Sequence, residues 1–254
     1  MDFAFFTLFG FFFIFFTTVL GAAFVYCIKE ELSPKLYALI FGFSAGIMTA
    51  ASVWSLLLPA LEGAKESLNK YAFLPVSSAF LLGGALIVLF ERLTKQNEGC
   101  SMELLRAKKL FLSMTLHNIP EGLAVGFAFG VASLTGTRLA YMAALGLALG
   151  IGFQNLPEGA AVSLPMKTAL NSKNKAFFYG VCSAVVEPIF AVIGYLFIGY
   201  LQPLQPWLLA FSAGAMIFVV ADELLPQTKT EQSGFGAWGF MIGFVCMMIL
   251  DLLG

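Results

Sequence analysis

The 254-residue chain is 59% hydrophobic and 11% charged, with 28 Phe residues and a formal net charge of -1. A soluble domain carries about 25% charged residues, so the composition excludes one, and the near-neutral charge, without a basic patch interleaved with aromatics, excludes a nucleic-acid partner. Cys27, Cys100, Cys182 and Cys246 are scattered singly, which indicates neither a disulfide framework nor a thiolate zinc site.

Along the chain the charges are bunched, and the stretches between them run about 20 residues or longer with almost none, as in a polytopic helical membrane protein. The pattern predicts eight spans, at roughly 4–28, 36–58, 72–90, 109–131, 140–164, 175–199, 207–226 and 235–253. The first has Asp2 as its only early charge and is longer than a usual signal-peptide core, so it reads as a retained helix. The connections are short, the longest being a charged loop at about 92–108, and residues 1–254 read as one transmembrane domain. With the N-terminus outside, every Lys and Arg except Lys65, Lys70 and Arg138 falls on the inner side, so the positive-inside bias places both termini on the outer face.

An internal repeat supports the count. Ser44-Ala45-Gly46-Ile47-Met48 in span 2 returns as Ser212-Ala213-Gly214-Ala215-Met216 in span 7, and each is followed by an apolar stretch ending at a proline, Pro59 or Pro226. Spans 2 and 7 cross in opposite directions. Spans 1–3 and 6–8 therefore read as inverted repeats around a central pair, spans 4 and 5, and inverted repeats with polar, broken helices at midplane are a signature of secondary transporters.

The central pair carries the chemistry. His117-Asn118-Ile119-Pro120-Glu121-Gly122 in span 4 and Gln154-Asn155-Leu156-Pro157-Glu158-Gly159 in span 5 are near-copies. Residues three and four apart share a helix face, so His117 and Asn118 stack over Glu121, and Gln154 and Asn155 over Glu158. Pro120, Pro157 and Pro188 each deprive a carbonyl one turn back of its donor, and Gly122 and Gly159 permit close helix approach or a local bend. Glu121, Glu158 and Glu187 lie well within spans, with no Lys or Arg at comparable depth. A charge at the bilayer centre costs about 2.5–3.5 kcal/mol on insertion scales, so three such carboxylates require protons or a metal cation. Oxygen donors with one imidazole suit zinc, manganese or ferrous iron, and three carboxylates with two amides suffice for two adjacent ions.

Two alternatives stand beside a metal transporter. One is a proton- or sodium-coupled carrier or channel using the same carboxylates. The other is an intramembrane hydrolase using Ser44, in a Gly42-Phe43-Ser44-Ala45-Gly46 match to GxSxG, with His117; that elbow belongs to a strand-to-helix turn, whereas this segment reads as helix. HExxH and Walker A motifs are absent, so neither a zinc protease nor an ATP-driven pump is indicated.

HNIPEG in span 4 and QNLPEG in span 5, with Glu187-Pro188 in span 6 and eight spans, resemble the ZIP (Zrt/Irt-like) metal transporters, and the Gln-Asn form in span 5 resembles their GufA-like branch. The resemblance covers nearly the whole chain. It implies a transporter, not an enzyme, that imports zinc, and as related cargoes cadmium, manganese or iron, into the cytosol by alternating access, with metal bound as substrate and no cofactor. It also implies a homodimer in a lipid bilayer, a bacterial cytoplasmic membrane being the expected location. Carried over residue by residue, His117, Glu121, Gln154 and Glu158 form one metal site with Met48 as a soft ligand. Asn118, Glu121, Asn155, Glu158 and Glu187 form a second, with Glu121 and Glu158 bridging. Relatives with Asp at the position of Asn155 have an additional charge there, and the loop before span 4 lacks the histidines many relatives carry. Ser55 and Glu62 towards the outer side, and Asp222 and Glu223 towards the inner, are candidates for the metal path; the resemblance favours Glu223. The expected division of labour has the central spans carry metal while the repeat-related spans form a scaffold.

Overall fold

The computed structural model describes residues 3–28, 33–94, 101–229 and 234–253; Asp2, Lys29, Lys95 and Cys100 lie outside them. Among the described residues there is no strand, and the long helices form eight rods, with the short helices Ile198–Leu201 and Gln202–Leu204 between the sixth and seventh: α1 (Phe3–Cys27), α2 (Pro34–Tyr71), α3 (Phe73–Thr94), α4 (Met102–Thr135), α5 (Arg138–Leu170), α6 (Lys173–Leu196), α7 (Gln205–Gln227) and α8 (Phe235–Leu253). Their starts follow local chemistry. The hydroxyls of Ser33, Ser101, Thr137 and Ser172 accept from the backbone N–H of Leu36, Leu104, Ala140 and Lys175, capping α2, α4, α5 and α6, as small oxygen-bearing side chains do at helix N-termini.

Five rods, α1, α2, α5, α6 and α7, are long and apolar enough to cross a membrane by length and composition; α3 and α8 are apolar over shorter stretches. The burial pattern is that of a chain dissolved in lipid. Leu81 is 70% exposed, Leu8 68% and Trp238 64%, while His117, Glu121, Asn155 and Glu187 are at 0%. The protein is an all-α polytopic membrane protein.

Packing follows the internal repeat. α2 lies along α8 and α3 along α7; α1 lies along α5 and α6 along α4; α4 and α5 also meet directly, and α2 touches α5 as α7 touches α4. Exchanging 1 with 6, 2 with 7, 3 with 8 and 4 with 5 reproduces this set of contacts. The equivalence reaches single residues. A Cβ on Gly46 would collide with the carbonyl of Phe240, one on Gly243 with that of Phe43, one on Gly214 with that of Phe80 and one on Gly83 with that of Phe211. The duplicated Ser-Ala-Gly segments are thus backbone-contact stripes, as small residues between membrane helices generally are.

Three features depart from the sequence reading. The central helices are not broken: α4 runs for 34 residues through Pro120, and α5 for 33 through Pro157 and Pro165. The break falls in α6, between Ala184 and Val186, just before Glu187-Pro188. Span 2, expected to stop near 58, continues through Pro59 because a π-helical turn at Ser52–Leu57 precedes the proline; α7 has its equivalent at Val220–Leu224 ahead of Pro226. An extra residue in the turn accommodates the missing N–H, and such bulges often occur at functional sites. Finally, the helices group four and four. α1 and α6 pack on the motif-bearing pair, so the central pair does not stand apart from the repeats as expected.

Candidate metal centre

A two-residue connection brings the duplicated motifs together. α4 ends at Gly136, whose φ of 63° is left-handed and free of penalty for glycine, and Thr137 caps α5. So short a link makes α4 and α5 adjacent and antiparallel, and it places His117 level with Glu158.

The imidazole Nε2 of His117 lies 3.2 Å from Glu158 Oε2 and 3.5 Å from Glu121 Oε1. One ligand atom from each of these three residues falls within 4.8 Å of the others. All three are buried, as is Gln154, one turn from Glu158 on α5. Around this cluster both oxygens of Glu121, Oε1 of Glu158 and Oε1 of Gln154 have no hydrogen-bond partner. Among the described residues no Lys or Arg pairs with Glu121, Glu158 or Glu187. Buried acceptors are normally satisfied, and buried carboxylates are paired or coordinate metals. The arrangement is a cage of acceptors suited to a divalent cation held by one imidazole and carboxylate and amide oxygens.

The neighbouring polar residues of the two motifs are held differently. Asn118 Nδ2 donates to the Ser183 carbonyl (2.9 Å) and to Glu187 Oε1 (3.1 Å); Asn155 Nδ2 donates to the Ile14 carbonyl (3.2 Å) and to Glu187 Oε2 (2.8 Å). A carbonyl can only accept, so these contacts fix both amides with nitrogen outward and leave both Oδ1 atoms buried and unpartnered. A third donor to Glu187 is Thr18 of α1, whose Oγ1 lies 2.7 Å from Oε1. Gly122 sits against the Glu187 carbonyl and Gly159 against that of Thr18, each so close that a Cβ would collide. The glycines of the two motifs therefore serve helix approach rather than bending.

The geometry agrees with what comparison finds. The sequence profile of the family described as ZIP Zinc transporter matches residues 91–251. The chain belongs to the ZIP family. It is similar to zinc transporter ZIP11 of Homo sapiens, at 32% identity over 96% of each chain. It is also similar to zinc transporter GufA of Myxococcus xanthus, at 35% identity over 89% of this chain and 90% of the relative, and to zinc transporter ZupT of Corynebacterium aurimucosum, at 30% over 87% of each. Members of the ZIP family are transporters, not enzymes. Ser44 is buried with its hydroxyl unpartnered, so it makes no hydrogen bond to His117.

The other residues expected in this ZIP protein's site have surroundings of their own. Met48 is fully buried in an apolar cluster that includes Met114 and Met216. Ser55, in the π turn of α2, donates to Asp251 of α8 at 2.5 Å, and Glu62 is exposed. At the other end, Lys109 Nζ lies 2.7 Å from Asp222 Oδ2 and 2.5 Å from Glu223 Oε1. These three line a cavity of about 740 Å³ together with Tyr37, Glu103 and Arg106. Sequence reasoning missed Thr18 and Asp251. The available signals were the Thr17-Thr18 pair inside a Phe-rich run and an acid closing the last apolar run. Cys27, Cys182 and Cys246 are free thiols.

Proposed function

We propose that this ZIP-family protein imports divalent cations, zinc foremost, into the cytosol through the centre between α1, α4, α5 and α6. The observation that supports this best is the cluster of His117, Glu121 and Glu158, ringed by buried oxygens without donors and, among the described residues, without a pairing Lys or Arg. A cation replaces what those oxygens lack. Desolvated carboxylates bind it strongly because the surroundings do not screen their charge, and the neutral amides add acceptors without adding charge to be offset.

In this reading the ion first meets Ser55, in the π turn of α2, and Asp251, near the outer end of α8. It then sits on His117, Glu121, Gln154 and Glu158. Asn118 Oδ1, Asn155 Oδ1 and Glu187 offer an adjacent second position, with Glu121 and Glu158 shared. Release proceeds into the cavity of Asp222 and Glu223, and the Lys-rich ends of α4 and α6 support a cytosolic location for it. All eight rods cross the bilayer, both termini lie outside, and alternating access moves one four-helix group against the other. Assembly as a homodimer in a bacterial cytoplasmic membrane rests on the family resemblance.

Zinc uptake into proteoliposomes is the test. A variant combining Glu121→Ala and Glu158→Ala is expected to lose uptake while remaining folded; uptake equal to that of the unmodified protein overturns the site assignment.

A further inference from the structure

The hydrogen bonds around Glu187 limit how it can hold a metal. A carboxylate offers about four lone-pair sites. Oε1 of Glu187 accepts from Thr18 Oγ1 and Asn118 Nδ2, and Oε2 accepts from Asn155 Nδ2. One acceptor direction is left, and it is on Oε2. If Glu187 is a ligand, as the reading above holds, it coordinates through one oxygen only. Of the three donors, both asparagines belong to the duplicated motif and present their own free oxygens; Thr18 presents nothing else. Its hydroxyl has a single proton, and the nearer acceptor is Glu187 at 2.7 Å rather than the Ile14 carbonyl at 3.2 Å.

A separate observation places Thr18 in the centre by construction rather than by accident. The exchange of α1 with α6 superposes it on Glu187. Gly159 packs on the Thr18 carbonyl as Gly122 packs on the Glu187 carbonyl. Asn155 bonds the Ile14 carbonyl as Asn118 bonds that of Ser183, and Ile14 and Ser183 each precede the equivalent residue by one helical turn. Thr18 is 1% exposed. One repeat therefore contributes a carboxylate at this position and the other a hydroxyl that points at it.

We propose that Thr18 is a specificity-determining residue. By filling Oε1 it keeps Glu187 monodentate and holds the second position to five donors, one from each residue, and this favours zinc over ions that want six or more oxygens. Zinc is usually satisfied by four ligands; manganese prefers an octahedral oxygen shell, which a bidentate carboxylate helps to complete. Losing the Thr18 hydroxyl frees a second direction on Glu187 and relaxes the preference.

The experiment measures competitive uptake of zinc and manganese into proteoliposomes, with equilibrium competition of the two ions on purified protein beside it. Thr18→Val keeps the shape and removes the hydroxyl, Thr18→Ser keeps the hydroxyl, and Thr18→Ala removes both hydroxyl and methyl. The expected result is a manganese-to-zinc ratio raised on the order of tenfold in the Val and Ala variants, as befits loss of a charge-assisted hydrogen bond, with the Ser variant unchanged. In a Glu187→Gln background Thr18→Val is expected to add nothing. A Val variant with the original ratio, or a Ser variant behaving as Ala does, overturns the proposal, since packing and not the hydroxyl is then what matters. A Val effect that persists in the Glu187→Gln background overturns it too. If Glu187→Gln alone leaves both affinity and ratio unchanged, the failure belongs to the reading of Glu187 as a ligand. A change there with none in Thr18→Val is a failure of the Thr18 assignment alone.

Discussion

Lys109 Nζ on α4 lies 2.5 Å from Glu223 Oε1 on α7, so the helix that carries His117 is tied by an ion pair to the neighbouring helix group. Glu223 is nearly buried, while Asp222, the other carboxylate on Lys109, is about half exposed. If cargo leaves past these acids, it must compete with the ammonium already there. Lys109→Gln is therefore expected to retain more zinc per chain in equilibrium dialysis and to slow uptake severalfold. Asp222→Asn is expected to change stability by less than about 1 kcal/mol, as exposed pairs do. Equal zinc retention by Lys109→Gln and the unmodified protein counts against an exit through this pair.

The glycine contacts make a paired prediction within one helix. In α5 a Cβ at Gly159 meets the Thr18 carbonyl, whereas at Gly150 the nearest atom is Met247 Cε at 4.0 Å. Gly159→Ala forces two backbones apart, and overpacking of this kind costs about 1–3 kcal/mol. Gly150→Ala meets open space, removes backbone freedom from the unfolded chain, and is expected to be neutral or to stabilise by about 0.5–1 kcal/mol. Thermal unfolding in detergent separates them: a lower Tm for Gly159→Ala only. A similar fall for both variants contradicts the close approach.

The neutral amide at 155 sets the resting charge of the centre. Asn155 donates to Glu187 and to the Ile14 carbonyl; an Asp there has no proton to donate and turns a carboxylate toward both. Without metal, Asn155→Asp is expected to be less stable than the unmodified protein. With zinc it gains an anionic ligand, so the stabilisation by ligand, about 2.7 kcal/mol at a hundredfold excess over Kd, should set in at lower zinc concentrations. Tm measured in chelator and across a zinc titration checks both halves. A variant as stable as the original in chelator removes the donor role of Asn155.

The motif residues were legible because helix periodicity alone stacks His117 and Asn118 over Glu121, and Gln154 and Asn155 over Glu158. The duplicated Ser-Ala-Gly segments likewise disclosed the inverted repeat. Thr18 was not legible. A threonine in an apolar helix ordinarily turns its hydroxyl back to the preceding turn, as Thr17 does to the Phe13 carbonyl, and only the packing of α1 against α5 and α6 shows that Thr18 reaches Glu187 instead. Pro120 and Pro157 each remove one backbone donor, and α4 and α5 continue through them, so the stacking across each proline holds. The grouping of helices four and four depends on which glycine meets which carbonyl, and no single segment records that.

The remaining asymmetry of the centre is His117 opposite Gln154, equivalent positions with unlike donors. The imidazole Nε2 faces both carboxylates, whereas Gln154 brings an amide oxygen without a partner. Imidazole is a stronger ligand for zinc than a neutral amide oxygen, while oxygen suits manganese. Gln154→His supplies a second imidazole and is expected to tighten zinc binding on the order of tenfold while slowing turnover, because an ion held more firmly in the resting site has further to climb to leave it. His117→Gln makes both halves amides and is expected to weaken zinc binding by a similar factor with little loss of manganese binding. Calorimetric titration of each purified variant with zinc and with manganese, alongside uptake at saturating zinc, tests the pair. Equal losses for the two metals in His117→Gln would show that selectivity does not reside in this imidazole.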